Sequence, residues 1–165
     1  MKIWTAQHIF NHSWETVVQA SFFKYPNPMN TAVKSIDVID RQVINGELHS
    51  YRLINTRWTL PNWASALIGP MSTFYAVEYS KVSRDQRKLR LDSHNLSLRK
   101  FVEIREKLTY EAYPEDPQKT LLKQTTYVTV KGLPFNGCIE NILTSKISEN
   151  AAKGRQAIEW VIENL

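Results

Sequence analysis

The apolar residues of this chain change their period once, near Pro134, and that change fixes the layout. Before it, segments alternate with a period of two. Along residues 100–112, Val102, Ile104, Leu108, Tyr110 and Ala112 fall on one side, and Glu103, Arg105, Lys107, Thr109 and Glu111 on the other. Alternation of this kind means one buried and one wet face, hence an antiparallel sheet. After Pro134, Ile139, Ile142, Leu143, Ile147, Ala151, Ile158, Val161, Ile162 and Leu165 recur with helical spacing. They predict a single helix of roughly 45 Å.

The earlier segments complete the pattern. Residues 2–10 read as a strand. Ser13 is placed to cap a helix, with Glu15 in its first turn. Trp14, Val17, Val18, Ser21, Phe22 and Tyr25 form one helical face, which must end at Tyr25-Pro26-Asn27-Pro28. Strands are expected over 33–44 and 47–57, joined by the hairpin signal Asn45-Gly46. Further strands are expected over 71–83, 87–96, 100–112 and 119–131, with Pro114–Pro117 as a loop. Strand, short helix, a run of strands and one long helix make an α+β fold: a curved antiparallel sheet with the helix across its concave face. Such an arrangement encloses an elongated space whose rim suits a ligand.

Length and composition narrow the function classes. The chain has 165 residues, so it is read as one domain spanning 1–165, large enough to build a core without metal or disulfide. No apolar run approaches the roughly 20 residues of a membrane-spanning helix. The net charge is +5, and between Arg41 and Lys100 ten basic residues face four acidic ones. That excess points to an anionic partner or to a solvated basic face. Cys138 is the lone cysteine, so an internal disulfide is impossible; its apolar surroundings predict a buried, inert thiol. Met1-Lys-Ile-Trp-Thr5 does not read as a signal peptide or a cleaved transit peptide, since it lacks the long apolar run of the one and the Arg/Ser-rich pattern of the other. The cytosol, or an organelle entered by another route, is the expected location.

Three features carry chemistry. Lys146, Asn150 and Lys153 stack at i, i+4 and i+7 on the edge of the long helix's apolar stripe. Two cations and an amide there suit a phosphate head on a greasy ligand, or are lysines that snorkel to water. Residues 58–70 form a short apolar segment punctuated by Pro61 and Gly69-Pro70. Trp58, Leu60, Pro61, Trp63, Leu67 and Ile68 make it a lid or membrane-touching element, or a connector packed on the core. Lys24-Tyr-Pro-Asn-Pro-Met-Asn30 fixes a rigid exit from the first helix with Lys24 at its end, or simply terminates that helix. The four histidines lack metal-ligand spacing, and no nucleophile elbow, P-loop or dinucleotide fingerprint is present. A thiol hydrolase on Cys138 and an RNA-binding module lack supporting motifs.

These residues resemble the PRELI-like domain family. The resemblance rests on Met1-Lys-Ile-Trp-Thr5, His8-Ile-Phe10, Trp14-Glu-Thr16 and Lys24-Tyr-Pro-Asn-Pro-Met-Asn30. Leu67-Ile-Gly69, Lys119-Thr-Leu-Leu-Lys-Gln124, Val128-Thr-Val-Lys-Gly132, Ile147–Gln156 and Glu159-Trp-Val-Ile162 are similar to its Slowmo branch. The resemblance implies a START-like fold of about seven strands, with a mobile loop closing a lipid-sized cavity. It implies a non-enzymatic carrier of single phospholipids between the outer and inner mitochondrial membranes. Such a carrier works in the intermembrane space, peripheral on anionic membrane surfaces, without cofactor, catalytic residue or metal. The implied partner is a small helical protein with twin Cys-x9-Cys motifs. The implied headgroup residues are Lys24, Lys146, Asn150 and Lys153, and the implied lid is 58–70. The Slowmo branch implies phosphatidylserine as cargo, with phosphatidic acid or a lipid-sensing role as alternatives. Thr56 and Thr59 stand where phosphatidic-acid carriers often have lysines, which favours phosphatidylserine. Ser72 stands where Slowmo relatives tend to be basic.

Overall fold

The structure is a computed structural model that describes residues 1–69 and 73–165. Seven strands form one antiparallel sheet: β1 (Lys2–Phe10), β2 (Val33–Ile44), β3 (Glu47–Arg57), β4 (Thr73–Ser83), β5 (Lys88–Asn95), β6 (Val102–Tyr113) and β7 (Asp116–Val130). Their spatial order is β1-β7-β6-β5-β4-β3-β2. Each strand from β2 to β7 therefore neighbours the next in sequence, and β1 closes onto β7 at the far side. Three helices accompany the sheet: α1 (Trp14–Phe22), α2 (Asn62–Ile68) and α3 (Asn136–Asn164). The α+β expectation holds, with α3 running over β1 and β7 and against α1.

Local chemistry accounts for most boundaries. Ser13 caps α1, its Oγ accepting from the Thr16 amide at 3.4 Å. Asn45 and Gly46 both have positive φ, 52° and 77°, the conformation that a two-residue turn needs to follow the twist of β2 and β3. Helix α1 ends at Phe22, three residues before Tyr25, so Lys24 lies in the connection rather than in the helix. The 114–117 loop is shorter than expected. Tyr113 pairs directly with Asp116, leaving Pro114-Glu115 as the turn, and a register shift there absorbs Pro117. Strand β1 reaches only Thr120 on β7, so Pro117 withholds no ladder hydrogen bond from that side. Residues 71 and 72, expected to open the fourth strand, lie outside the described residues.

The core has two parts. One gathers Phe10, Trp14, Val17, Leu89, Tyr110, Leu122, Ile158 and Val161 under α1 and the C-terminal half of α3. Trp14 satisfies its indole there, Nε1 donating to the Tyr110 carbonyl at 3.0 Å. The other gathers Val102, Val128, Val130, Ile139, Leu143 and Ile147 under the N-terminal half of α3, with Trp58 and Leu67 packed against it. Two expectations for α3 are corrected. Leu165 is exposed, because the helix ends one residue earlier. Cys138 is exposed too, because it lies one residue off the face carried by Ile139 and Leu143.

Candidate functional site: a cavity between the sheet and the long helix

Between the two core regions lies a cavity of about 230 Å³. Its floor follows from strand register. Arg52 on β3 pairs with Glu78 on β4, Glu78 with Ser93 on β5, Ser93 with Glu106 on β6, and Glu106 with Thr126 on β7. All five side chains line the cavity. A polar row thus crosses the inner face of the sheet, with apolar side chains on both sides of it. On one side of it stand Leu108, Tyr110 and Leu122; on the other stand Ile54, Ala76, Ile104, Phe74 and Trp58.

The roof is α3. Ile147, Asn150, Ala151, Gly154 and Arg155 face the cavity at i, i+3, i+4, i+7 and i+8, one side of a helix. The small residues Ala151 and Gly154 leave the room. A Cβ on Gly154 would sit 3.4 Å from the Tyr25 hydroxyl and 3.8 Å from Lys24 Nζ. The Lys24–Asn30 segment is tied under this roof: Asn27 Nδ2 donates to the Ala157 carbonyl at 3.1 Å, and Asn30 Nδ2 donates to the Tyr25 hydroxyl at 3.1 Å. Lys24 Nζ lies 4.8 Å from the Tyr25 ring centre.

The charges on the floor differ in how they are met. Glu78 Oε1 accepts from Arg52 Nε at 2.8 Å and Nη2 at 2.6 Å, with both side chains less than a tenth exposed. Glu106 Oε2 accepts from Gln124 Nε2 at 2.7 Å and Thr126 Oγ1 at 3.3 Å. Burial raises the Glu106 carboxyl above its ordinary range; the Gln124 hydrogen bond and the Lys24 charge pull the other way. Burial pulls the Lys24 ammonium down, but the ionised forms of Tyr25, Tyr110, Glu78 and Glu106 outweigh it and leave the pKa above that of ordinary lysine. Lys24 is half-buried, and it opens onto the cavity as a charged group.

Of the headgroup residues expected from sequence, Lys24 and Asn150 meet in the cavity. Lys146 and Lys153 do not line it. They bind Glu149 at 3.3 and 2.9 Å on the outer side of α3, with side chains 42% and 41% exposed. The lid residues divide as well. Trp58 lines the cavity, its ring 5.8 Å from Phe74 and its Nε1 buried without an acceptor; Leu67 packs inward. Trp63 and Pro61 are exposed and Leu60 is half-buried. Ile68 closes α2, but its side chain, like Pro70 and Ser72, lies outside what the structure describes. Thr56 lines the cavity and Thr59 is exposed. Sequence reasoning missed Arg52, Glu78, Glu106, Gln124, Thr126 and Arg155. The signal for the strand residues was polar side chains on the buried parity of β3, β4, β6 and β7; for Arg155 it was the small-residue line Ala151–Gly154.

Comparison with known proteins agrees with this architecture. The chain is 30% identical over 168 residues to "Protein UPS2, mitochondrial" of Saccharomyces cerevisiae, covering 99% of this chain and 73% of that protein. It is 28% identical over 160 residues to "Protein slowmo homolog" of Dictyostelium discoideum, covering 96% of this chain and 70% of that one. A START superfamily protein from Mycobacterium smegmatis superposes with a TM-score of 0.60 at 16% identity, covering 98% of this chain and 97% of that chain, which establishes the fold type. The sequence profile of the PRELI-like family matches residues 15–165. With the profile spanning nearly the whole chain, and with a yeast relative 30% identical along 99% of it, this protein belongs to the PRELI-like family.

Proposed function

We propose that the protein is a mitochondrial phospholipid carrier, without enzymatic activity, that moves single phosphatidylserine molecules between the outer and inner membranes across the intermembrane space. The observation that carries this reading is the cavity itself, with apolar walls of Ile54, Trp58, Phe74, Ile104 and Ile147 and a cation, Lys24, beneath its roof beside Gly154. Family membership and the mitochondrial designation of the yeast relative support it.

In this reading Lys24 and Asn150 take the headgroup phosphate. Lys146 and Lys153 engage headgroups while the protein rests on an anionic membrane, each contributing about 1 kcal/mol near the surface. Trp63 on the exposed side of α2 inserts at the interface. Buried acyl methylenes contribute about 0.8 kcal/mol each and offset extraction from the bilayer. A cavity of about 230 Å³ is only modestly larger than the ~150 Å³ void that accepts one benzene. Two acyl chains therefore require Trp58 and α2 to move outward. Helix α2 suits that motion: it has seven residues, no side-chain cap, and Gly69 at φ 93° behind it. A small helical twin Cys-x9-Cys protein is the proposed partner.

Phosphatidic acid carried the same way is the second reading, favoured by Lys24 as a phosphate-binding point charge. A liposome transfer assay with both lipids, with and without the helical partner, decides between them. Phosphatidylserine transfer above that of phosphatidic acid is expected. Transfer of neither lipid overturns the carrier reading.

A further inference from the structure

The polar row leaves one charge unanswered. Arg52 and Glu78 answer each other. Glu106 holds two neutral donors on Oε2, while Oε1 has no hydrogen bond and no cation stands within salt-bridge distance, among the described residues. A carboxylate that faces a cavity half-met is expensive to keep. Leucine or methionine there would extend the apolar walls of Ile104 and Leu108 on the same strand. Gln124 and Thr126 also fix the carboxylate's orientation, directing the remaining oxygen to the open space. Lys24 is coupled electrostatically to Glu106 from the opposite wall, where the roof comes down at Gly154. The cavity therefore presents a cation and an oriented anion acceptor to the same small volume.

We infer that Glu106, oriented by Gln124 and Thr126, is the subsite for the ammonium group of an amine-bearing phospholipid headgroup, with Lys24 opposite it taking the phosphate. The inference rests on the carrier reading above and gives it a basis for headgroup choice. A zwitterionic element, phosphate and ammonium a few bonds apart, matches a fixed cation–anion pair; phosphatidic acid and phosphatidylglycerol leave Glu106 unanswered beside their own negative charge. Serine and ethanolamine headgroups share the required ammonium. Serine adds a carboxylate, for which Arg155 at the roof is a further cation.

The test uses the full chain and water-soluble dihexanoyl phosphatidylserine, phosphatidylethanolamine, phosphatidylglycerol and phosphatidic acid, with affinities measured by calorimetry. Vesicle transfer of the long-chain lipids is measured in parallel. Glu106→Gln keeps the shape and a hydrogen-bond acceptor but removes the charge. It should lower the affinity ratio of the serine and ethanolamine lipids to phosphatidylglycerol at least tenfold. Glu106→Asp, which keeps the charge, should lower it only a few-fold. Unfolding temperatures of both variants establish that the fold is retained, and the aspartate variant serves should the glutamine one not fold. A ratio unchanged in the folded variants, or a wild-type protein without preference for the amine-bearing lipids, overturns the assignment. Binding of the soluble lipids without any vesicle transfer overturns the carrier reading instead and leaves the Glu106 result standing.

Discussion

Gly154 on α3 faces Lys24 so closely that a Cβ there would stand 3.8 Å from the lysine nitrogen. A glycine inside a 29-residue helix costs about 1 kcal/mol relative to alanine, so the position trades stability for space. Gly154→Ala should raise the unfolding free energy by about 0.5–1 kcal/mol in chemical denaturation, since its methyl meets Tyr25 at ordinary contact distance. Gly154→Leu should fill the space beneath the roof and lower lipid transfer at least tenfold. Transfer at the wild-type rate by the leucine variant would place the cargo elsewhere.

The Arg52–Glu78 pair is part of the structure rather than a reserve of affinity. With both side chains buried, losing one partner strands the other charge. Glu78→Ala should therefore destabilise the fold by about 3–5 kcal/mol. The double variant Arg52→Met, Glu78→Leu should recover most of that loss. Denaturant titration of the two variants against wild type reads the difference.

The fold was legible because its signals are local. Alternation along residues 100–112 and the Asn45-Gly46 turn each depend on a few adjacent residues, and β2, β3 and α3 lie within a residue or two of their expected limits. The site was legible only in part. Lys24 and Asn150 were found because a proline-bounded segment and a helical face can be read along one stretch of chain. The polar row was hidden because Arg52, Glu78, Ser93, Glu106 and Thr126 come from five strands. Each looks like one polar position in its own strand, and only the register aligns them. Lys146 and Lys153 show the converse: their spacing with Asn150 is helical, but the line they share sits about one position away from the face that Ala151 and Gly154 open.

That offset separates two roles that charge alone would merge. Lys24→Met should reduce affinity for soluble phosphatidylserine at least tenfold while changing association with anionic vesicles less than twofold. Lys153→Glu, which also loses its contact to Glu149, should do the reverse: weaker vesicle association, at least tenfold slower transfer and an intact fold. Added salt should suppress the vesicle association that depends on Lys146 and Lys153, because exposed charges are screened. Flotation with vesicles and calorimetry with soluble lipid distinguish the two variants. Equal behaviour in both assays would contradict the division of the site into an inner and an outer part.

Two glutamates give opposite dependences of stability on pH. Glu140, in the first turns of α3, accepts from the Val130 amide at 3.1 Å and pairs with the N-terminal ammonium at 3.2 Å. The Val130 hydrogen bond, with help from the N-terminus and Lys2, holds its carboxyl below the ordinary 4.5. Its stabilisation is therefore present above pH 4.5 and is lost as pH falls through the lowered folded value. Glu140→Gln should remove this acid-sensitive contribution, so wild type and variant should converge once pH falls below that lowered folded value. Glu106 has the reverse sign: burial raises its folded value above 4.5, so the wild type is disfavoured increasingly as pH rises through that raised value. Glu106→Gln should accordingly be at least as stable as wild type at pH 7, with the advantage shrinking to nothing below pH 4.5. Thermal unfolding of the three proteins from pH 3.5 to 8 reads both effects. A Glu106 variant less stable than wild type at pH 7, with the deficit vanishing in acid, would mean that this carboxylate holds the fold together rather than being kept at the fold's expense.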